Sequence, residues 1–510
     1  MKIRSLDYKW LVAIVFVSGL FMDIMDSTIV NVALPTLGRE FHASTTTLEW
    51  VITAYLLSLA VWIPASGWVG DRFGTKRVFL FALAMFSLGS ALCGIAWSID
   101  SLIFFRVLQG VGGGMMTPVG TAMLFRAFPP HERATASAVL VIPTAIAPTV
   151  GPILGGWLID HASWRWIFYI NPPVGILGFI FALLVLKEHQ EKSVGSFDIP
   201  GFFLGAIGLP LTLFALSQGP TSGWTSTKVW GTGVAGVAFL IAMVVVELKK
   251  REPMLALRLF SDRMFRNGNL VVFAIFGAMM GLLFLLPLFL QDLLGLSAFE
   301  SGLTTFPQAM GMAAVAQVSS RIYPRVGPRR MIIASMVMIT IVSSLFLLVG
   351  LHTSLWWIRG LMLLRGMAMG IGMVPMQAAT YATISQADTG RASALFSTNR
   401  QVAASVGVAV MATVLVDRVQ SHVATAVQGV TGQAAIQAAT QHATLMGYHD
   451  AFLASALVAL LGIGAAFLIR DSDAAASMRR IEPATAPAGS TANGREPSRG
   501  ADLVGVGEHD

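Results

Sequence analysis

Asp23 and Asp26 stand three residues apart in a stretch, Trp10 to Leu34, that carries no other charge. Arg106 stands alone in a second such stretch, Ser101 to Phe125. Groups at i and i+3 share one face of a helix. A carboxylate there can take up and release a proton, whereas a guanidinium keeps its charge throughout. Ionisable groups inside long apolar segments are costly and mark places where ions or substrates are handled. Two acids on one face also exceed what one arginine neutralises. The pattern points to a charge cluster that responds to protons; the bland alternative is a fixed structural ion pair. Asp23 could be a second proton or cation site, or a hydrogen-bonding group within a helix bundle.

The elements that must position these groups follow from composition. The chain has 510 residues, 55% hydrophobic and 12% charged, about half the charge of a typical soluble domain. Residues 50–70, 78–99, 107–125, 134–159, 166–186, 199–227, 229–246, 267–291, 301–320, 331–358, 366–387 and 451–469 contain no Asp, Glu, Lys or Arg. A membrane-crossing helix needs about 20 mostly apolar residues. With two further spans that hold isolated charges, near 10–34 and 393–416, the expectation is an all-α polytopic membrane protein of about fourteen helices.

Charge placement gives the orientation. With residues 1–9 inside and loops alternating, only Arg39, Arg165, Lys228, Arg359 and Arg418 of the 34 Lys and Arg fall outside. Arg106, Arg365 and Arg400 fall within spans, and the rest lie inside, as the positive-inside rule requires. Both termini are then cytoplasmic and the protein belongs in the inner (cytoplasmic) membrane. The net charge of +7 is thereby explained by the lipid bilayer rather than by nucleic acid. The first span lacks a cleavage site and is too long for a secretory leader, so it is expected to stay. The single cysteine, Cys93, excludes an intrachain disulfide and a cysteine-based metal site.

The chain repeats itself. Asp71-Arg72-Phe73-Gly74-Thr75-Lys76-Arg77 follows the second span, and Pro324-Arg325-Val326-Gly327-Pro328-Arg329-Arg330 follows the tenth. Arg106 with Gly110 recurs as Arg365 with Gly370 at a similar offset. Duplication of a six-helix unit fits, with two inserted helices. The expected division is a bundle over 10–190, two linker helices over 191–250, a second bundle over 251–470 and a disordered cytoplasmic tail over 471–510. Transporters are often built from such repeats, with substrate between the halves. At 1.5 Å per residue Asp26 lies about 24 Å along the first helix and Arg106 about 8 Å below the outer surface on the fourth. The two depths agree within the error of the helix ends, so an Asp26–Arg106 pair is geometrically allowed.

Several blocks resemble one family. Gly67-Trp68-Val69-Gly70-Asp71-Arg72-Phe73-Gly74-Thr75-Lys76-Arg77 is similar to the loop motif of the major facilitator superfamily. Arg106-x2-Gln109-Gly110 is similar to its fourth-helix motif, and Gly151-Pro152-x2-Gly155-Gly156 to the fifth-helix motif of its drug antiporters. Asp26-Ser27-Thr28-Ile29-Val30-Asn31-Val32-Ala33-Leu34-Pro35 and Trp164 to Pro173 resemble the fourteen-helix drug:proton antiporters of the EmrB/QacA type. The resemblance covers about residues 10–470. It implies neighbouring first and fourth helices, with Asp26, Asp23 and Arg106 in proton coupling. It implies a conformational latch at Gly67, Asp71, Arg72, Gly74 and Arg77. It also implies a hinge in the fifth helix at Pro148, Gly151, Pro152, Gly155 and Gly156, where proline bends the helix and glycine lets a neighbour approach.

Phe276, Phe284, Phe306, Gln308 and Met310 could form an adaptable pocket, or simply pack. Arg365 and Arg400 could meet anionic substrate groups, or backbone carbonyls. Glu49, Asp292 and Glu300 fall at predicted outer helix ends. There is no G-x-S-x-G, no P-loop and no Cys/His cluster, so neither an enzyme nor direct ATP drive is indicated. The expectation is a proton-coupled multidrug exporter of amphipathic, cationic compounds, with the proton as coupling ion and no cofactor. The alternatives are an exporter dedicated to a physiological lipid, siderophore or metabolite, or a membrane receptor that does not transport. A periplasmic or outer-membrane partner cannot be read from the sequence.

Overall fold

The computed structural model describes residues 7–191, 195–250 and 253–478. Fourteen long helices and no strands occur among them. The first six are α1 (Tyr8–Phe41), α2 (Thr45–Phe73), α3 (Thr75–Gly94), α4 (Ile99–Ala127), α5 (Arg133–His161) and α6 (Trp166–Val185). Two inserted helices follow, α7 (Ile199–Ser222) and α8 (Thr227–Lys249). The last six are α9 (Arg263–Leu293), α10 (Ala298–Val326), α11 (Pro328–Leu345), α12 (Leu355–Thr380), α13 (Thr389–Ala426) and α14 (Gln433–Phe467). Thirteen are long and apolar enough to cross a membrane. The exception, α10, is long enough but carries Gln308, Gln317, Ser319, Ser320 and Arg321. It packs on α12 and on α5.

Local chemistry sets the ends. Unpaired N–H groups at a helix start favour a side-chain oxygen there. Ser98 with Ser101 at α4, and Ser297 with Glu300 at α10, form reciprocal capping boxes. Asp198, Ser226 and Asp262 cap α7, α8 and α9. Glu300 is thus a helix-end residue, as its position suggested.

The repeat is visible in the packing. Contacts α2–α4, α3–α4, α1–α5 and α3–α6 recur eight helices later as α10–α12, α11–α12, α9–α13 and α11–α14. Gly74 (φ +96°) turns α2 into α3, and Gly327 (φ +84°) turns α10 into α11; both need the conformation that glycine alone adopts freely. A carboxylate follows the last helix of each bundle and closes on that turn. Glu188 accepts from the Lys76 N–H at 3.0 Å, and Asp471 accepts from the Arg329 N–H at 2.9 Å, each at the positive N-terminal end of a helix.

The two bundles meet along two seams, α2 on α13 and α5 on α10. The inserted α7–α8 hairpin lies against α2 and α13 and covers only the first. Residues 471–478 depart from the tail expected from 471. A 3₁₀ turn (Asp471–Ala474) leads into α15 (Ala475–Met478), held by the Asp473–Arg263 ion pair at 2.7 Å and by Ser477 on Tyr323 at 2.7 Å. Aspartates near a helix start and two built-in partners overrode the polar composition. The remainder of that tail, 479–510, lies outside the described residues, as do residues 1–6 of the N-terminal segment.

Candidate functional site

α1, α2, α4 and α6 bring the charge cluster together. Arg106 Nη1 lies 2.5 Å from Asp26 Oδ2, with both side chains sealed from solvent. Gln109 Nε2 and Asn171 Nδ2 donate to Asp26 Oδ1 at 2.9 and 2.7 Å. Arg106 also donates to Gln109 Oε1 at 2.8 Å and to the Val51 carbonyl at 3.1 Å. Its guanidinium sits 4.0 Å from the Tyr55 ring centre. A buried ion pair is tolerable only when its remaining hydrogen-bonding capacity is filled, and here the neighbours fill it.

Asp23 has a different setting. It is partly exposed, accepting from the Tyr55 hydroxyl at 2.5 Å and from Thr117 Oγ1 at 3.3 Å. Tyr55 thus touches both acids' surroundings, its hydroxyl on Asp23 and its ring under Arg106. Close helix approach makes this geometry possible. A side chain at Gly110 would run into Ser58, and one at Gly113 would come within 3.0 Å of Asp23.

Thr117 also lines a cavity between the bundles. Phe16, Thr121 and Thr144 come from the first bundle; Phe276, Gln377 and Arg400 face them from the second. Of the seven pocket residues singled out from sequence, only Phe276 and Arg400 line it. Arg365 is buried behind, donating to Ser343 Oγ at 3.1 Å and to the Ala278 carbonyl at 2.8 Å, the backbone-binding alternative. Gln308 packs by its main chain against Gly366, Phe284 joins the core of the second bundle, and Met310 is exposed on an outer face. Phe306 is half-buried away from the cavity walls. Helix-local spacing could not separate these, since the cavity forms only where two bundles meet.

On the face that carries the α2–α3, α4–α5 and α12–α13 loops, the basic face, the cavity is closed. Asp71 binds Arg126 at 2.8 Å, and Arg126 Nε donates across the seam to the Gln386 carbonyl at 3.2 Å. Arg133 donates to the Tyr381 and Ile384 carbonyls, and Phe125 stacks on Tyr381 at 4.5 Å. Gly67 rests on Gly390, a Cβ there meeting its carbonyl at 2.8 Å. Gly67, Asp71 and Gly74 therefore occupy the expected latch. Arg72 and Arg77 do not: both are exposed, Arg77 reaching Glu188 at 3.6 Å, because the turn at Gly74 directs them outward. Arg126 and Arg133 reach across the seam instead, and sequence reading had absorbed them into the inside charge count.

On α5, Gly151 and Gly155 pack on α1; a Cβ at Gly155 would meet Ile29 Cγ1 at 2.6 Å. Gly156 has open space around it, so it admits no neighbour, contrary to the motif reading. The helix stays continuous through Pro143, Pro148 and Pro152.

Paired bundles of this plan, with a cavity between them, can be compared with known proteins. A sequence model of the Major Facilitator Superfamily matches residues 16–408. The chain belongs to that superfamily. It is 35% identical over 396 residues to "Multidrug resistance protein B homolog" of Mycobacterium tuberculosis, covering 77% of this chain and 73% of that one. "Putative multidrug resistance protein MdtD" of Serratia proteamaculans is 34% identical over 403 residues, 79% and 83% of the two chains. "Uncharacterized MFS-type transporter YhcA" of Bacillus subtilis is 32% identical over 409 residues, 80% and 77%. Among solved structures, that of the human organic anion transporter MFSD10 (TETRAN) superposes with a TM-score of 0.63 over 90% of this chain and 99% of its own, at 17% identity; at that identity the likeness speaks for the fold. The protein is a multi-pass membrane transporter of this superfamily, a family of transporters rather than enzymes.

Proposed function

We propose that this chain is a proton-coupled multidrug exporter of the cytoplasmic membrane, with both termini cytoplasmic, moving amphipathic compounds outward by alternating access. The observation that carries the reading is the unequal pair on α1. Asp26 is locked by a guanidinium and two amides, whereas Asp23, one helical turn away, reaches the cavity edge through Thr117. Asp23 is the group poised to exchange a proton with cavity water, and Asp26–Arg106 is the fixed charge against which it works.

When the cavity opens outward, a proton from outside water forms an O–H bond on the Asp23 carboxylate and cancels its charge. A cationic group held there loses its attraction and leaves. When the cavity opens inward, Asp23 gives the proton to cytoplasmic water and can take the next substrate. Tyr55 couples this event to the locked pair. Its hydroxyl must reorganise when Asp23 is protonated, while its ring carries the Arg106 guanidinium. α2 continues from Tyr55 to Gly67 and Asp71, so the hydroxyl that holds the proton site and the basic-face latch share one helix. The names of the relatives at 34–35% identity support the drug class of substrate.

The test is gradient-driven transport in liposomes. The purified chain should move fluorescent amphipathic cations against an imposed pH gradient, and Asp23→Asn should abolish the gradient response. No movement of several such compounds by the wild-type chain would favour a carrier dedicated to a lipid, siderophore or metabolite. An undiminished gradient response in Asp23→Asn would sink the proposed proton site.

A further inference from the structure

The cavity walls are chemically lopsided. Hydroxyls and an amide come from Thr117, Thr121, Thr144, Ser397 and Gln377, and Arg400 is the one charged side chain on them among the described residues. It projects from α13 over the face of Phe276, Cζ 5.6 Å from the ring centre. It makes no hydrogen bond or ion pair with any described residue, unlike Arg106 and Arg365, each of which donates to partners inside its own bundle. A half-buried guanidinium with free donors, set in an apolar wall, is a receptor for a carboxylate-like group.

Asp23, on the opposite bundle, is within electrostatic reach of Arg400. The other polar groups facing Asp23 are Tyr55 of α2, Thr117 of α4 and Asp26 of α1. The sign of coupling between the two cavity charges restricts the substrate. Exchange against protons requires that protonation of Asp23 weaken substrate binding, since coupling between two bound species is reciprocal. A simple anion on Arg400 would behave the opposite way, because neutralising Asp23 leaves Arg400 more attractive. A simple cation beside Asp23 would have the right sign but would confront the uncompensated charge of Arg400. A molecule bearing both charges satisfies both.

We propose that Arg400 receives an anionic substituent, and that the compounds handled here are amphipathic zwitterions whose cationic end points toward Asp23 and whose apolar body lies against Phe16, Phe276 and Phe396. This rests on the antiport reading above and replaces the purely cationic substrate expected from sequence.

A matched dye pair tests it. Rhodamine B is a zwitterion at neutral pH, and its ethyl ester is a permanent cation of the same shape. Equilibrium binding to the purified full chain, read by fluorescence anisotropy without any gradient, should favour rhodamine B by about tenfold, the worth of one charge-assisted hydrogen bond. Arg400→Gln should erase that preference, and Arg400→Lys should keep part of it, which separates loss of the charge from misfolding. Asp23→Asn should leave the preference standing and flatten the pH dependence of rhodamine B affinity. Equal affinity for the two dyes, preference for the ester, no affinity for either, or a preference that persists in Arg400→Gln would overturn the assignment. Gradient-driven transport in liposomes is scored separately. A dye preference that depends on Arg400 without a gradient response sinks antiport alone, and a gradient response without the preference sinks the Arg400 assignment alone.

Discussion

In the first bundle Arg106 meets a carboxylate; in the second its repeat counterpart Arg365 meets a serine hydroxyl and the main-chain oxygen of Ala278. The helices around both are laid out alike, and α9 stands to α12 as α1 stands to α4. Duplication preserved the buried guanidinium and its close helix packing but not the titratable partner. The first bundle therefore contains an acid–base pair and a cavity-edge acid, while the second contributes a fixed cation and an aromatic wall. On the proposed reading the charge that changes lies in the first half, and the second half adds to the cavity only a charge that stays.

Breaking the division at its strongest point should give the largest effect. Arg106→Met strands Asp26 in a sealed site; loss of one partner of a buried pair costs about 3–5 kcal/mol. A marked fall in detergent thermal stability and loss of transport are expected. Arg365→Met strands only a hydroxyl and a carbonyl, about 1–2 kcal/mol, and transport should persist. Equal destabilisation by the two substitutions would mean that the halves are not chemically distinct.

Next in size is the latch. Because Cys93 is the only cysteine and is buried, a Cys93→Ser background permits a single reporter, Thr144→Cys, on the cavity wall. Arg133→Gln frees the Tyr381 and Ile384 carbonyls and should raise labelling by a membrane-impermeant thiol reagent from the basic face several-fold. An unchanged rate would show that these bonds do not hold the cavity shut.

Asp23→Asn should be gentler on the fold, because its two partners are neutral hydroxyls. Thermal stability should shift by about 1 kcal/mol or less while the pH dependence of transport flattens. The contrast with Asp26→Asn, which should also destabilise, separates the working acid from the locked one.

A further contrast lies on α5. Gly155→Ala forces a methyl against Ile29, an overpacking of about 1–3 kcal/mol, whereas Gly156→Ala should be silent in both stability and transport. Similar behaviour of the two variants would remove close packing against α1 as the reason for glycine on this helix.

Much of this architecture was legible in the sequence for one physical reason: a bilayer forces about 20 uncharged residues per crossing, and an interrupted run stands out. The Asp26–Arg106 pair was legible because two charges in such runs can be assigned depths. α10 was recognised by its charge-free run although its polar residues place it below the apolarity of the others, while part of its surface packs on α12 and α5. What escaped notice came from contacts that no single helix encodes. Arg126 and Arg133 looked like ordinary inside charges until the α12–α13 loop supplied carbonyls for them. Arg365 and Arg400 looked interchangeable until only one of them faced the cavity. Tyr55, which links the two acids, has no local signature at all.

The carboxylate clasps at Glu188 and Asp471 have a mechanical consequence. Each ties the chain leaving a bundle's sixth helix to the start of its third, so each bundle is closed into a hoop. The α7–α8 hairpin lies against α2 of one hoop and α13 of the other, a strap laid across the first seam.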